Sequence, residues 1–215
     1  MPHSVMIALD YARLIATPVA IDPFPHVVVP WFVPPASLDA VLADLPVLGK
    51  RGSFPVDAVR LGPDAKALME AMEGPALRTA IERLFGLDLH DAPTMVTLRG
   101  WTSERDGRIH CDSLAKRLTV LLYLNRETDA WSRQQGCLRL LRGSADLEDF
   151  AVEVPPVNGT LLVFPNGPTT WHGHRQFVGQ RYGVQLNYMT TDDKARSEIR
   201  RHRISAFVKR LTRAA

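Results

Sequence analysis

Cysteine is almost missing from this chain of 215 residues, which has two, Cys111 and Cys137. Two cysteines cannot build a disulfide framework, and they stand in no CxxC spacing, so redox-motif and zinc-ribbon readings are excluded. Long apolar runs are absent too: no uninterrupted stretch reaches the roughly eighteen residues that a membrane helix needs. The first apolar run is short, lacks a basic segment before it, and is interrupted by Asp10 and Arg13. No export or anchoring signal is read, and a reducing cytoplasm is the expected location. There is no internal repeat, low-complexity tract or linker. With 46% hydrophobic and 23% charged residues, residues 1–215 are expected to form one globular domain with a sizeable core, which excludes a disordered or fibrous chain.

Unbalanced charge is also scarce outside one segment. The formal net charge is +3, but residues 192–215 hold eight of the 26 basic residues and three of the 23 acidic ones, so the remainder is slightly acidic. Basicity confined to a tail gives no reason to expect a nucleic-acid partner or a membrane. Ile199, Ile204, Phe207, Val208 and Leu211 form one apolar stripe at helical spacing, with Asp192 and Asp193 placed to cap its start. The spacing predicts a basic C-terminal helix over 191–215 that docks by its apolar face, contact of its basic face with an anionic surface being the alternative.

What is present changes character along the chain. Residues 1–92 read as a mainly helical support region: a strand at His26–Val29, a helix at Ser37–Leu45 with Ser37 as its cap, and helices over Pro63–Met72 and Pro75–Phe85, each opened by a proline and the second closed by Gly86. Residues 93–190 read as eight short strands, 95–98, 108–112, 118–124, 137–141, 152–154, 160–164, 172–177 and 182–189. The fold class is therefore α+β, mainly β, a sandwich or jelly roll. Side-chain parity adds direction. Leu118, Val120, Leu122 and Leu124 share one face and Thr119, Leu121 and Tyr123 the other; Tyr182, Val184, Leu186 and Tyr188 oppose Arg181, Gly183, Gln185 and Asn187. The apolar faces call for helices packed outside the main sheet, and the polar faces then turn into the sandwich, where buried polar groups need partners or ligands.

The candidate chemistry starts at His110-Cys-Asp112. On a strand, alternation puts the imidazole and the carboxylate on one side, roughly 7 Å apart at the backbone, within reach of one metal ion. Alone, the motif reads equally as a histidine oriented by a carboxylate. His172 follows about sixty residues later in Trp-His-Gly-His, then Arg181 after Gly179. Two histidines and one carboxylate on a β scaffold are the set that holds ferrous iron while leaving coordination positions open. His174 shares a strand face with His172 and is the other candidate ligand. An arginine beyond the last ligand suits a cosubstrate ending in a carboxylate, because guanidinium binds carboxylate bidentately and stays charged. Were 172–177 and 181–188 a hairpin, Arg181 would lie roughly 15 Å from His172, a gap that a five-carbon diacid and a long side chain can bridge.

His110-Cys-Asp112, Arg117-Leu-Thr-Val-Leu-Leu-Tyr-Leu-Asn125, Gly136-Cys-Leu-Arg-Leu140, Gly159-Thr-Leu-Leu-Val-Phe164, and His172 with Gly179-Gln-Arg181 together resemble the iron(II) and 2-oxoglutarate-dependent oxygenases, in their prolyl-hydroxylase-like branch. The resemblance covers about residues 93–190. It implies a double-stranded β-helix, iron held by His110, Asp112 and His172, and Arg181 paired with the distal carboxylate of 2-oxoglutarate. It places Tyr123 where a hydroxyl touches that carboxylate, with Thr119 on the same face; a core tyrosine is the plainer reading. His172 is preferred to His174 because nine residues separate it from Arg181, as in the family. Cys137 stands where many relatives have a second glycine.

The implied reaction consumes dioxygen and 2-oxoglutarate, releases succinate and carbon dioxide, and hydroxylates a C–H bond of a small molecule or a protein side chain. Rival readings are a non-catalytic metal-binding module of the same fold, and a cupin-type hydrolase or isomerase. Gln185 and Asn187 are candidates for cosubstrate, substrate or each other. Trp171 and Trp131 are candidates for shielding the site, and Arg99, Arg105, Arg108, Arg139 and Arg142 for attracting an acidic partner.

Overall fold

The computed structural model describes residues 7–127 and 136–201. Four helices precede most of the strands. α1 (Tyr11–Ala16) is capped by Asp10, whose carboxylate accepts from the Arg13 amide at 2.8 Å. α2 (Pro35–Asp44), α3 (Pro63–Glu73) and α4 (Pro75–Phe85) each begin with a proline, whose missing N–H costs nothing in a first turn. Gly74 closes α3 and opens α4, and Gly86 stops α4 in the left-handed conformation at φ 63°.

Among the described residues, nine strands form two antiparallel sheets. β1 (Val27–Val29), β7 (Leu161–Pro165), β4 (Lys116–Tyr123), β9 (Gly179–Met189), β3 (Thr94–Thr102) and β2 (Phe54–Pro55) lie side by side in that order. The second sheet has the order β6 (Phe150–Val154), β5 (Leu138–Leu141), β8 (His172–His174). β4 and β9 share a register in which Val120 faces Leu186, Leu122 faces Val184 and Thr119 faces Asn187, so the two parities read from the sequence lie on common faces. On the outer face, Leu118, Val120, Leu122, Val184 and Leu186 join Leu68, Met72, Leu77 and Ile81 of α3 and α4 in the main core. Between the sheets, Tyr123, Leu138, Leu140, Val154, Leu162 and Phe164 form a second, smaller core beside the polar cavity. The jelly roll with helices outside its main sheet is thus present.

Several local expectations are corrected. Ser37 does not cap α2; the helix starts at Pro35, and the buried Ser37 hydroxyl instead accepts from the Ala8 amide at 3.0 Å. Residues 108–112 are not a strand: only His110 pairs, in an isolated bridge to His172. β8 ends at His174, and β8 and β9 belong to different sheets rather than to one hairpin, because the chain between them crosses from one layer to the other. β2, two residues long, and α1 have too little periodicity to read in advance. The helix at the C-terminal end starts at 193, with Asp192 accepting from the Ala195 amide at 2.7 Å, and Ile199 packs towards Ala115, Met189 and Ala195. The rest of its stripe, Ile204, Phe207, Val208 and Leu211, and the tryptophan at 131 lie outside the described residues. No helix among the described residues is long and apolar enough to cross a membrane.

Arg139 and Arg142 are spoken for. Arg139 is buried under Phe150, with its guanidinium on Glu148 and Glu153, each at 2.6 Å, and Arg142 pairs with Asp22 at 2.9 Å. These arginines fasten the second sheet and its loops.

Leu186 is fully buried at the centre of the core, so Leu186→Ala should lower unfolding free energy by about 3 kcal/mol, transfer and cavity costs combined. Urea unfolding followed by circular dichroism measures this; a loss below about 1 kcal/mol would contradict the packing described.

Candidate metal centre

The backbone brings the two histidines together. His110 donates its amide to the His172 carbonyl at 2.9 Å and His172 returns the bond at 3.0 Å. Residues paired in this way project their side chains to the same face, and the two imidazole centroids lie 4.3 Å apart. Asp112, two residues on, turns to the same side. One ligand atom from each of His110, Asp112 and His172 lies within 4.8 Å of the others, a set that can hold one metal ion. His110 is exposed, Asp112 half-buried and His172 buried, so one side of the set faces a cavity.

The tautomers follow from hydrogen bonding. Nδ1 of His110 lies 2.8 Å from the Arg108 carbonyl, and Nδ1 of His172 lies 2.9 Å from the Thr170 carbonyl. A carbonyl can only accept, so each Nδ1 carries the proton and each Nε2 keeps its lone pair, the form a metal requires. Burial, reinforced by the neighbouring His110, pushes the His172 pKa down to about 4, which keeps the ring neutral at physiological pH.

Asp112 is held at both oxygens. Lys116 Nζ donates to Oδ1 and the Thr119 hydroxyl to Oδ2, each at 2.7 Å. Burial alone would raise the carboxyl pKa, but the Lys116 charge and hydrogen bond, the nearby His172 and the Thr119 hydrogen bond outweigh it, and the group stays ionised below its usual range. Asn166 donates to the Thr119 oxygen at 2.8 Å, and Asn187, bonded by Gln185 at 3.2 Å, lies 3.2 Å from the same oxygen. Gln185 therefore donates to Asn187 beside Thr119, and the donor that supports the Thr119 oxygen is Asn166. Lys116 and Asn166 escaped the sequence reading because their role depends on loop closure around Asp112, which leaves no periodic signal.

The cavity beside these ligands has a volume of about 240 Å³ and is lined on its other side by Tyr123, Arg181 and Gln185, with Thr119 and His174 also in its wall. Arg181 is buried; its Nε donates to the Gly136 carbonyl at 3.0 Å, whereas its buried Nη2 has no hydrogen-bond partner among the described residues. Gly136 has φ 73°, and a Cβ there would come within 3.5 Å of the Arg181 Nε, so glycine suits both the turn and the approach. The Arg181 guanidinium lies 5.2 Å from the centre of the Tyr123 ring. Burial pushes the Tyr123 phenol pKa up, against the pull of Arg181, so the phenol keeps its proton. A buried guanidinium with an unsatisfied donor, next to a protonated phenol, is a receptor for an anion such as a carboxylate.

His174 lines the cavity on the same face as His172 but stands outside the three-residue set; its Nδ1 bonds the Arg175 carbonyl at 2.8 Å, and burial with the nearby Arg181 charge pushes its pKa down to about 4. Arg99, Arg105 and Arg108 also line the cavity.

Residues 99–189 match the family model of the 2OG-Fe(II) oxygenase superfamily. The fold is similar to that of a prolyl-4-hydroxylase from Pseudomonas putida, at 20% identity and a TM-score of 0.55, over 88% of this chain and 96% of that one. A viral collagen prolyl hydroxylase from Paramecium bursaria Chlorella virus-1, in its 2OG complex, is similar at 11% identity and a TM-score of 0.55, over 80% and 99% of the two chains. HygX from Streptomyces hygroscopicus, with nickel and 2-oxoglutarate bound, is similar at 15% identity and a TM-score of 0.52, over 77% and 82%. None of the curated proteins compared matches this sequence.

The hydrogen bond from Thr119 orients a carboxylate that faces the metal set. Thr119→Val, which keeps the shape and removes the donor, should weaken binding of manganese by about tenfold with the fold intact. Isothermal titration calorimetry of the metal-free protein measures this, and an unchanged affinity would show that Asp112 needs no such support.

Proposed function

We propose that this chain, whose residues 99–189 match the family model of the 2OG-Fe(II) oxygenase superfamily, hydroxylates its substrate at a ferrous ion held by His110, Asp112 and His172. Ferrous iron and 2-oxoglutarate, when bound, supply the oxidising chemistry: the cosubstrate is converted to succinate and carbon dioxide as dioxygen is split between it and a substrate C–H bond. One observation carries the reading, the buried Arg181 Nη2 without a partner in the same cavity as the three converging ligand atoms. A diacid anchored at one end near the ligands and at the other by Arg181 satisfies both.

The protein's own groups divide the work. Nδ1–H bonds to the Arg108 and Thr170 carbonyls fix both imidazoles with Nε2 towards the ion. Lys116 and Thr119 hold Asp112 ionised and oriented. Arg181 pairs with the far carboxylate and Tyr123 donates its phenolic proton to it, while Thr119 serves that wall of the cosubstrate site as well as Asp112. Leu121 and Leu138 line the cavity between the polar groups and keep water from the reacting centre. One solved structure of similar fold is a collagen prolyl hydroxylase, which supports a protein side chain as substrate; a small molecule is the other class proposed. Cys111 and Cys137 both remain thiols rather than a disulfide, which suits a reducing compartment such as the cytoplasm.

Consumption of 2-oxoglutarate, measured as succinate formed with and without ferrous iron, tests the proposal. Wild type should turn over slowly without added substrate and only with iron. His172→Ala should abolish turnover, and Arg181→Ala should raise KM for 2-oxoglutarate by at least about tenfold through loss of a charge-assisted pair. Wild-type turnover no greater than that of His172→Ala would overturn the assignment.

A further inference from the structure

Arg99 is a cation with no hydrogen-bonded or ion-paired counterpart among the described residues. It lies on β3 opposite Gly183 of β9, and Tyr123 of β4 is opposite the same glycine on its other side. Arg99, Gly183 and Tyr123 thus form a row across the polar face of the main sheet, with no side chain at its centre. The register of β3 shifts between Arg99 and Trp101, a bulge of the kind that re-aims a side chain beside a cavity. Gly100 at the bulge is obligatory for packing, since a Cβ there would fall 2.6 Å from the Leu48 Cβ.

Arg99 lines the metal-side cavity and also a second cavity of about 420 Å³ whose wall includes Thr97, Lys116 and Asn187 but neither Arg181 nor Tyr123. Its guanidinium makes no hydrogen bond or ion pair with any described residue. Its surface is accessible, yet it opens into the space enclosed by the sheets, where burial and the neighbouring Arg181 charge oppose its own. The two cavities together carry six basic side chains against Asp106, Asp112 and Glu198. Lys116 is paired to Asp112, and the carboxylate proposed for Arg181 satisfies that residue only. Arg99 is exposed and can be met by water, and an acid entering the cavity would exchange that water for a charge-assisted, bidentate pair.

We propose that Arg99 is the substrate's anchor, receiving a carboxylate that the substrate carries and that enters from the second cavity, and so restricting the enzyme to acids. The inference rests on the reading of the site as a 2-oxoglutarate-dependent hydroxylase. The cosubstrate's distal carboxylate goes to Arg181 and the substrate's carboxylate to Arg99, at the junction of the two cavities, which orients the substrate with its target C–H towards the metal set.

The experiment follows the Arg99 Nε–Hε signal by NMR in zinc-loaded protein, identified by its absence in Arg99→Lys. N-oxalylglycine, an inert analogue of 2-oxoglutarate, is added to saturation, and then acetate, neutral acetamide, or a tripeptide with blocked termini and a central aspartate. Acetate or the tripeptide should move the signal and acetamide should not, the two acids separating a free acid from a carboxylate borne on a peptide. In Arg99→Gln, with folding confirmed by circular dichroism, acetate affinity read from other cavity signals should fall at least about tenfold, with part of it retained in Arg99→Lys. A signal that moves with N-oxalylglycine and ignores both acids would assign Arg99 to the cosubstrate and overturn the proposal, as would no response to any anion. Failure of N-oxalylglycine to bind the zinc protein would instead count against the hydroxylase reading, while the acetate response still decides the role of Arg99.

Discussion

Two backbone hydrogen bonds between His110 and His172 are the constraint on which the site depends. They join a loop to a three-residue strand and set two imidazoles on one face with their centroids 4.3 Å apart. Everything metal-directed is local to that bridge. Asp112 follows His110 by two residues, and each ring is oriented by a carbonyl two residues before it. Neither segment would hold this geometry alone: β8 is pinned by β5, in a register that puts Leu140 opposite His172, and the loop is bound through the pairing itself. A metal centre built this way is braced by the sheet behind it, although two of its three ligands are on a loop.

The second sheet carries His172 and holds His110 beside it through the bridge, and the first sheet supplies the polar wall facing them. On β4 and β9 the same alternation that buries Leu118, Val120, Leu122, Val184 and Leu186 against the helices turns Thr119, Tyr123, Arg181, Gln185 and Asn187 inward. Stability and chemistry are therefore coupled by parity: a one-residue slip between these strands would expose the core and empty the cavity of its polar groups together. Within the wall, polar groups are mostly bonded to one another, as the bond from Gln185 to Asn187 and the chain from Asn166 through Thr119 to Asp112 demonstrate. The exceptions are Arg181 Nη2, buried with no partner among the described residues, and Arg99, exposed where the two cavities meet.

Much of this was legible in the sequence, and for a definite reason. The helices over 63–85 are bounded by Pro63, Pro75 and Gly86, whose backbone constraints act locally, and the faces of β4 and β9 are long enough for period-two alternation to be unambiguous. His110, Asp112, His172 and Arg181 could be singled out because their spacing is itself a motif. What could not be read depends on distant pairing. The stretch at 108–112 looks like a strand but has one paired residue, His110, because the partner strand ends three residues after it begins. The transfer of the chain from β8 to β9 between sheets has no periodic signature, so a hairpin was the simpler expectation. Ser37 has the composition of a cap, yet α2 starts two residues earlier at Pro35. Arg139 reads like Arg99 in sequence, but it lies against Glu148, Glu153 and Phe150 while Arg99 faces a cavity. The difference is which side of its strand each occupies and what the loops bring to that side.

The account as a whole requires that one ion and one diacid be bound together, each completing the other's site. Anaerobic calorimetric titration of 2-oxoglutarate into the protein, with and without ferrous iron, measures that dependence directly. The account predicts one molecule bound per chain with iron and at least about tenfold weaker binding without it, because a bidentate metal contact is lost while Arg181 remains. Equal affinity with and without iron would mean that the three ligands and the guanidinium do not serve one site.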